Sequence, residues 1–205
     1  MSSSSRVLVV GAGGHAKVVL ATLQDGGWQV EGLLDDQEKL LGATVLGVPV
    51  VGRLAMLAER DSPRALIAIG DNRTRRNIAA RFPGADWITA VHPRAYVHPT
   101  AHLGPGTVVF AGAVVQPEAD VGEHSIINTG ATVDHDCRLG PFVHVAPGAH
   151  LSGAAELGEG VLLAIGAVVG PGRRVGAWTT VGAGAAVVSD LPAGCTSVGV
   201  PAKPR

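Results

Sequence analysis

The sequence predicts two folded parts, a small parallel α/β domain over residues 1–90 and a parallel β-solenoid over residues 91–205. Three observations predict this fold class. A six-residue repeat begins at Val91, and the chain opens with a strand, a glycine-rich turn and a helix. Aromatic residues make up only 3% of the chain, while Gly occurs 29 times and Pro 13 times. A core without large rings must be thin, which indicates an unusual architecture.

The repeat places one aliphatic residue in every sixth position without interruption. The first residues of the seventeen hexads are Val91, Val97, Leu103, Val109, Val115, Val121, Ile127, Val133, Leu139, Val145, Leu151, Leu157, Leu163, Val169, Val175, Val181 and Val187. A period of six fits neither an α-helix nor simple alternation. It fits a hexapeptide β-helix, in which each hexad forms one side of a triangular coil. Three hexads per coil give five to six coils, stacked at roughly 4.8 Å into a prism on the order of 25 Å long.

The first ninety residues carry a phosphate-binding pattern. The segment RVLVVGAGGHAKVVLATL predicts a strand, a turn and a helix, and Gly11 to Ala16 fit G-x-G-x-x-[GA]. Small residues let the backbone approach a phosphate, and a helix amino terminus favours the anion. A second strand, WQVEGLLDD, ends in Asp35 and Asp36, where a dinucleotide fold has its ribose-binding acid. RALIAIG predicts a third strand and NRTRRNIAARF a helix, enough for one mononucleotide-binding half.

Charge and composition exclude several classes of protein. A formal net charge of −1 gives no bulk attraction to nucleic acid or to an anionic membrane. The opening MSSSSRVLVV has too short an apolar run for a secretory signal, and VLLAIGAVVG is too short and too rich in glycine to span a bilayer. A soluble cytoplasmic chain is therefore expected. Cys137 and Cys195 lack metal-ligand spacing and are interpreted as reduced thiols, so no metal site is predicted.

One histidine occupies a position where the repeat does not require it. Residues eighteen apart stack in one column, and the column of His135 otherwise holds only proline and glycine: Pro99, Pro117, Gly153 and Pro171. Histidine titrates near neutral pH, so His135 is a candidate general base. Asp134 or Asp136 can orient its ring as a carboxylate does in catalytic triads. Gly153, one coil above, leaves room for a ligand, and its N–H can bond a carbonyl oxygen. Cys137 is expected to point inward and is not proposed as a nucleophile.

The two parts together resemble the hexapeptide-repeat sugar acetyltransferases. The resemblance rests on VVGAGGHAKVV, LLDD, AIGDNRTR, the hexads around HDC, and the ending GVPAKP. It implies a left-handed parallel β-helix, a homotrimer, and acetyl-CoA as co-substrate. The implied acceptor is the amino group of a nucleotide-linked sugar, as in the enzymes that N-acetylate UDP-4-amino-sugars and GDP-perosamine. A sialic-acid O-acetyltransferase branch has the same layout.

The resemblance also implies roles for individual residues. His135 and Asp136 correspond to the catalytic base and its partner. The substrate contacts implied are Gly13, His15 and Lys17 near the diphosphate or sugar, Asp35 and Asp36 near the base or ribose, Gly70 and Asn72 closing the pocket, and Asn128 from the prism. The acetyl-CoA contacts implied are His144, Gly153, Gly182, Gly184 and Lys203.

Three other functions compete with N-acetylation. The same dyad can deprotonate a hydroxyl of a sialic-acid-type substrate, the β-helix can be a non-catalytic nucleotide-binding scaffold, and the glycine turn with Asp35 suggests an NAD-dependent oxidoreductase. A histidine in a Pro/Gly column speaks against the scaffold, and the missing half-domain against the oxidoreductase. The remaining prism histidines have no acid with this spacing and are predicted to lie at the surface: His92, His98, His102, His124 and His150.

Overall fold

The first part of the chain is a six-stranded sheet with two helices. The computed structural model describes residues 6–205, so the first five residues of the opening segment and of the predicted first domain lie outside the described residues. The strands are β1 (Arg6–Val10), β2 (Gln29–Leu34), β3 (Thr44–Val45), β4 (Val48–Gly52), β5 (Arg64–Ile67) and β6 (Asp86–Trp87), in the order β3-β4-β2-β1-β5-β6. All neighbours are parallel except β3 and β4. The helices are α1 (Gly14–Asp25) and α2 (Asn72–Arg81).

These elements form where the local sequence requires them. β1 is buried over four of its five residues, as expected for a strand covered on both faces. Helix α1 buries Ala16, Val19 and Leu23 along one stripe, and the Asp71 carboxylate caps α2 by accepting the Thr74 N–H at 2.8 Å. The three predicted strands and both helices are confirmed. The β3–β4 hairpin was not predicted, although its turn at Leu46–Gly47 has positive φ at both residues, as in a type I′ turn.

The second part is the β-helix, whose strands repeat every six residues. Face 1 holds β7 (Ala90–Val91), β10 (Val108–Val109), β13 (Ile126–Ile127), β16 (His144–Val145), β19 (Leu162–Leu163) and β22 (Thr180–Val181). Face 2 holds β8 (Tyr96–Val97), β11 (Val114–Val115), β14 (Thr132–Val133), β17 (His150–Leu151), β20 (Val168–Val169) and β23 (Ala186–Val187). Face 3 holds β9 (His102–Leu103), β12 (Asp120–Val121), β15 (Arg138–Leu139), β18 (Glu156–Leu157) and β21 (Arg174–Val175).

The register confirms the hexad reading of the sequence. Each strand pairs in parallel with the strand eighteen residues later, as Ile127 does with Val145. The first hexad residues point inward and are almost all buried, together with the small fifth residues such as Ala131. Val91, at the open end, is 38% exposed. After Val187 the repeat loses two residues, because Thr180 pairs with Thr196. β24 (Thr196–Val198) and β25 (Lys203–Pro204) then extend face 1.

The α/β domain packs on face 1 of the prism. Residues of α1 form one buried cluster with Val108, Phe110 and Ile126. Face 1 carries apolar side chains outward for this reason, whereas face 3 carries exposed charged residues such as Arg138 and Arg174. Among residues 6–205, no helix is long and apolar enough to cross a bilayer.

Candidate active site

His135 and Asp136 form a close pair at the corner between faces 2 and 3. The His135 Nδ1 lies 2.7 Å from the Asp136 Oδ2, and both side chains are exposed. Asp136 has φ of +60°, in a column that also holds Glu118, Ala154 and Gly172 in the left-handed region. Aspartate tolerates this conformation. The corner geometry therefore accounts for an acid that contacts the ring of the residue before it.

Asp134 has a different partner from Asp136. Its Oδ1 accepts the backbone N–H of His135 at 2.8 Å, so it fixes the main chain of the turn. The pKa of His135 is raised above its usual value, first by the hydrogen bond that the ring donates to Asp136; desolvation opposes this shift, and the charges of Asp134 and Asp136 add to it. Because the Asp136 carboxylate takes the Nδ1–H, Nε2 is the nitrogen left to accept a proton. Of the two acids left open by the sequence, the geometry favours Asp136.

Gly153 lies directly against the imidazole of His135. A Cβ added to Gly153 would lie 2.5 Å from both Cε1 and Nε2 of that ring. The sequence was interpreted as leaving room for a ligand beside Gly153. The structure corrects this, because the imidazole of His135 occupies that space. The N–H of Gly153 donates to no acceptor among residues 6–205, while the flanking Ala154 N–H donates to the His135 carbonyl. Gly153 thus both seats the ring and leaves a backbone donor beside it.

The glycine turn leaves the start of α1 open. Gly13 precedes the helix without a side-chain cap, no acid lies in the first turn, and Lys17 is exposed there. A Cβ at Gly13 or Gly14 would meet nothing within 4 Å. Unpaired N–H groups at such a terminus attract anions. The arrangement supports the predicted diphosphate contact of Gly13 and Lys17.

Asp35 and Asp36 already hold parts of the α/β domain in place. Asp35 is buried, with Oδ2 accepting the Ala12 N–H and Oδ1 the Gln37 N–H, both at 2.9 Å. Asp36 accepts the Leu54 N–H at 2.9 Å. Both acids therefore brace loops at the carboxyl edge of the sheet. Their contact with a base or ribose stays a prediction.

A second polar cluster forms where α/β domain and face 1 meet. His144 lies with Nε2 at 3.0 Å from the Asn128 Nδ2 and Nδ1 at 3.2 Å from the Gly70 carbonyl oxygen. The ring centroid of His15 is 6.1 Å from that of His144, and the His15 Nε2 is buried with no hydrogen-bond partner in the described part of the chain. Burial is the largest cause that lowers the pKa of His15 and of His144, each to about 4. The structure thus brings together four residues that the sequence placed far apart.

Asn72 was predicted to close the substrate pocket, and its side chain binds the two parts of the chain together. Its Nδ2 donates to the carbonyls of Gly160 at 3.1 Å and Val161 at 3.3 Å, and its Oδ1 accepts from Arg75. The Asn72 amide is buried and fully engaged. Asn72 also lines a small pocket with Gly70, Arg73, Trp178 and Thr180.

The predicted coenzyme contacts near the tail are only partly available. The N–H of Gly182 donates to the Ser197 carbonyl and the N–H of Gly184 to the Ile165 carbonyl, each within 2.9 Å. A Cβ at Gly182 would lie 2.7 Å from Val198, so this glycine allows the tail to pack. Gly184 borders open space, and Lys203 is exposed in β25. Their contact with coenzyme A stays a prediction.

Two histidines expected at the surface are buried, and a third, which is at the surface as predicted, has an acidic partner that was not predicted. His92 is 5% exposed and its Nε2 lies 3.0 Å from the Asp25 carboxylate of α1. His124 is 3% exposed and stacks on Phe142 at a centroid distance of 5.2 Å. His102 is exposed but pairs with Asp120 at 2.9 Å. The eighteen-residue register of the repeat contained the signal for this last pair, since Asp120 stands one coil above His102.

Cys137 behaves as the sequence predicts. It is fully buried, and burial raises the pKa of its thiol to about 11. A thiol that stays protonated at neutral pH is a poor nucleophile. Among residues 6–205, no group of three or more His, Cys, Asp or Glu side chains is placed to hold a metal ion.

The site residues fall into two groups that one chain does not bring together. His135 and Gly153 lie at the corner between faces 2 and 3, whereas His144 lies on face 1, against His15 and Gly70 of the α/β domain. In a triangular prism, the corner between two faces is the one opposite the third face. The width of the prism therefore separates the candidate base from the α/β domain of the same chain.

Known proteins share both parts of this structure. The PglD N-terminal domain matches residues 6–82. Perosamine N-acetyltransferase from Caulobacter crescentus, solved as a histidine variant with CoA and GDP-perosamine, is 43% identical, with a TM-score of 0.93 over 99% of this chain and 98% of that chain. The acetyltransferase domain of PglB from Neisseria gonorrhoeae, solved with acetyl coenzyme A, is 41% identical, with a TM-score of 0.93 over 98% of this chain and 99% of that chain.

Curated relatives match over shorter segments. UDP-N-acetylbacillosamine N-acetyltransferase from Bacillus subtilis is 38% identical over 110 residues, which is 51% of each protein. An uncharacterised protein of Acanthamoeba polyphaga mimivirus is 30% identical over 108 residues, 53% of this chain and 22% of that protein. The matched part of the chain thus spans about half or less of these curated relatives.

A left-handed parallel β-helix joined to a small parallel α/β domain defines a class of hexapeptide-repeat acyltransferases. Sequence identity above 40% over nearly the whole length of two solved acetyltransferase structures identifies the family within this class. The chain belongs to the hexapeptide-repeat sugar acetyltransferases, the family that the sequence was found to resemble. The predicted fold class is confirmed with it.

Proposed function

We propose that this chain transfers the acetyl group of acetyl-CoA to the amino group of a nucleotide-linked sugar. The observation that carries the proposal is the His135–Asp136 pair, whose 2.7 Å hydrogen bond leaves Nε2 free at an exposed corner. The open amino terminus of α1 supports a phosphate-bearing substrate. The solved relatives contain CoA with GDP-perosamine, or acetyl coenzyme A.

The pair can perform a direct acyl transfer. The sugar amine attacks the carbonyl carbon of the thioester, and His135 Nε2 takes the proton that the amine loses. The C–S bond then breaks, CoA leaves as a thiolate, and the imidazolium returns the proton to the sulfur. Asp136 holds the ring and stabilises the imidazolium while it exists. We infer that the N–H of Gly153 polarises the thioester oxygen during attack.

We further propose that the enzyme is a homotrimer in the cytoplasm, with each site shared by two copies. The separation of His135 from the α/β domain of its own chain supports the shared site, because the corner between faces 2 and 3 of one copy can approach face 1 of the next. Tyr96 and Val168 on face 2 are 50% and 39% exposed, which supports contact with another copy. The cytoplasmic location follows from the proposed co-substrates.

A thiol-release assay tests the reaction. The chain is mixed with acetyl-CoA and a panel of UDP-, dTDP- and GDP-linked amino sugars, with hydroxyl analogues of the same sugars as the comparison. We expect CoA release with at least one amine and none with its hydroxyl analogue. Release with the hydroxyl substrates alone would indicate an O-acetyltransferase. Release with neither would contradict the proposed function.

Mixed trimers test the shared site. His135→Ala removes the base, and Gly13→Phe blocks the α1 terminus without a backbone clash, since Gly13 has φ of −80° and open space around it. Co-expression of the two inactive variants should restore on the order of a quarter of the normal activity. In randomly assembled trimers, about one interface in four joins an intact His135 from one copy to an intact α1 terminus from the next. If the mixture stays inactive while trimers form, each site lies within one chain.

A further inference from the structure

Arg75 is a buried cation whose hydrogen bonds do not involve a carboxylate. It is 1% exposed, and no Asp or Glu among residues 6–205 forms an ion pair with it. Its N–H groups donate instead to oxygens of His124 at 2.7 Å, Ile69 at 3.1 Å, Gly70 at 3.2 Å, Asn72 at 2.8 Å and Phe142 at 2.9 Å. Burying an arginine in this way is costly, which calls for a reason beyond packing.

The acceptors of Arg75 connect the α/β domain to two coils of the prism. Ile69 and Gly70 follow β5, and Asn72 begins α2. His124 and Phe142 stand eighteen residues apart at the corner between faces 3 and 1. The planar fork of Arg75 therefore fixes the Gly70 carbonyl relative to face 1, because one rigid group binds both sides.

The Gly70 carbonyl oxygen also determines the state of His144. A carbonyl can only accept a hydrogen bond, so the His144 Nδ1, at 3.2 Å, carries the proton. The His144 Nε2 then accepts from the Asn128 Nδ2 at 3.0 Å. The Asn128 Oδ1 accepts the Thr129 N–H at 2.8 Å, which fixes the orientation of the amide. One N–H of Asn128 remains to meet a ligand.

Burial and the charge of Arg75 favour the neutral form of His144, whereas the hydrogen bond to the Gly70 carbonyl raises the pKa of the ring and opposes them in part. Burial lowers the pKa of His144 most, and the charge of Arg75 lowers it further. The same charge lowers the pKa of the neighbouring His15, after burial. Two imidazoles beside the proposed substrate cleft are thereby kept neutral at the pH where transfer takes place.

We propose that Arg75 is a positioning residue of the active site, which holds the Gly70 carbonyl on His144 and so fixes the tautomer of His144 and the orientation of the Asn128 amide. The effect on catalysis rests on the proposed function, since it requires that Asn128 contact the substrate. The effect on His144 does not depend on any reaction.

Nitrogen-15 NMR of the imidazoles, with kinetics on the same samples, tests this role. In the unaltered chain we expect His144 to be neutral and protonated at Nδ1 from pH 8 to pH 5. Arg75→Met should release this single tautomer, move the titration of His144 to higher pH, and lower kcat by on the order of tenfold to a hundredfold. Arg75→Lys, which keeps the charge but loses the fork, should keep His144 neutral but lose the single tautomer.

A control variant distinguishes a specific effect of Arg75 on His144 from a general weakening of the domain junction. His92→Phe removes a different polar contact between the two parts, the part-buried one to Asp25, and leaves Gly70 and His144 untouched. It should leave the His144 spectrum unchanged. The proposal is wrong if the unaltered chain carries the His144 proton on Nε2, a result that needs no variant. It is also wrong if Arg75→Met leaves tautomer and titration unaltered. If His144 responds to Arg75→Met as expected but no amino sugar is acetylated, the proposed function is wrong and the effect of Arg75 on His144 is still supported.

Discussion

Acidification should weaken the domain junction through His124. This residue is 3% exposed, its Nδ1 is buried with no hydrogen-bond partner among residues 6–205, and its ring contacts those of Trp87 and Phe142. Burial, and then the charge of Arg75, lower its pKa from 6.5 to about 4. A histidine with a lowered pKa does not affect stability above the unfolded value. As the pH falls below 6.5, the unfolded chain binds a proton that the folded chain does not, so stability is lost until about pH 4.

The size of the effect follows from the two pKa values. Between pH 7 and pH 5 a single histidine that moves from 6.5 to about 4 on folding costs about 2 kcal/mol. His124→Phe should remove this cost. Phenylalanine fits the backbone there, because Phe142 occupies the equivalent position one coil above with φ of +59°, against +53° for His124.

Urea denaturation at pH 7 and pH 5 measures the difference, at one protomer concentration for all samples. Tryptophan fluorescence is a local probe, since the centroids of the Trp87 and His124 rings are 5.2 Å apart. His124→Phe should lose about 2 kcal/mol less than the unaltered chain on acidification. His98→Phe, at a half-buried position outside the junction, serves as the control. An equal loss of stability in His124→Phe and in the unaltered chain would refute the reasoning.

Two further predictions concern the dyad. His135 must be neutral to accept a proton, and its pKa is raised chiefly by Asp136, so the rate should rise with pH through a value above 6.5. Asp136→Asn should shift this rise in rate to lower pH and reduce the plateau rate, while Asp134→Asn should shift it less. The pH–rate profiles of these two variants and the unaltered chain measure both effects. If the rise stays at the same pH in Asp136→Asn, Asp136 is not the partner of His135. Gly153→Ala places a Cβ within 2.5 Å of the His135 ring and should lower kcat on the order of a hundredfold with little loss of stability, because the exposed ring can swing away. Gly84→Ala, which meets nothing within 4 Å, is the matched glycine control, and equal kcat in both variants would show that the position of the ring is unimportant.

The fold could be predicted from the sequence because its repeat is strict. One aliphatic residue in six, such as Val133 or Leu139, determines which side chains point inward, and the eighteen-residue column then places His135 at a corner. The glycine turn and Asp35 likewise indicated the carboxyl edge of a parallel sheet. Local patterns were enough for each of these features.

The domain junction could not be predicted in the same way. Arg75 looks like one of several charges in NRTRRNIAARF, and only its contacts with the carbonyls of Phe142 and Gly70 distinguish it. His92 and His124 are buried by partners far away in the sequence, Asp25 and Trp87. Such contacts depend on how the α/β domain sits on face 1, which no local pattern encodes. The His102–Asp120 pair differs, since the register that located His135 would have located it too.

We propose His135 as the general base of acetyl transfer to a nucleotide-linked amino sugar. The most direct test compares His135→Ala with His102→Ala in the thiol-release assay, using the amino sugar that the unaltered chain accepts. His102 is the matched control, because it also forms an exposed pair with an aspartate, at 2.9 Å from Asp120, but on face 3 away from Gly153. We expect kcat to fall by roughly a hundredfold to ten-thousandfold in His135→Ala and to stay unchanged in His102→Ala. A folded His135→Ala protein with normal kcat would contradict the account.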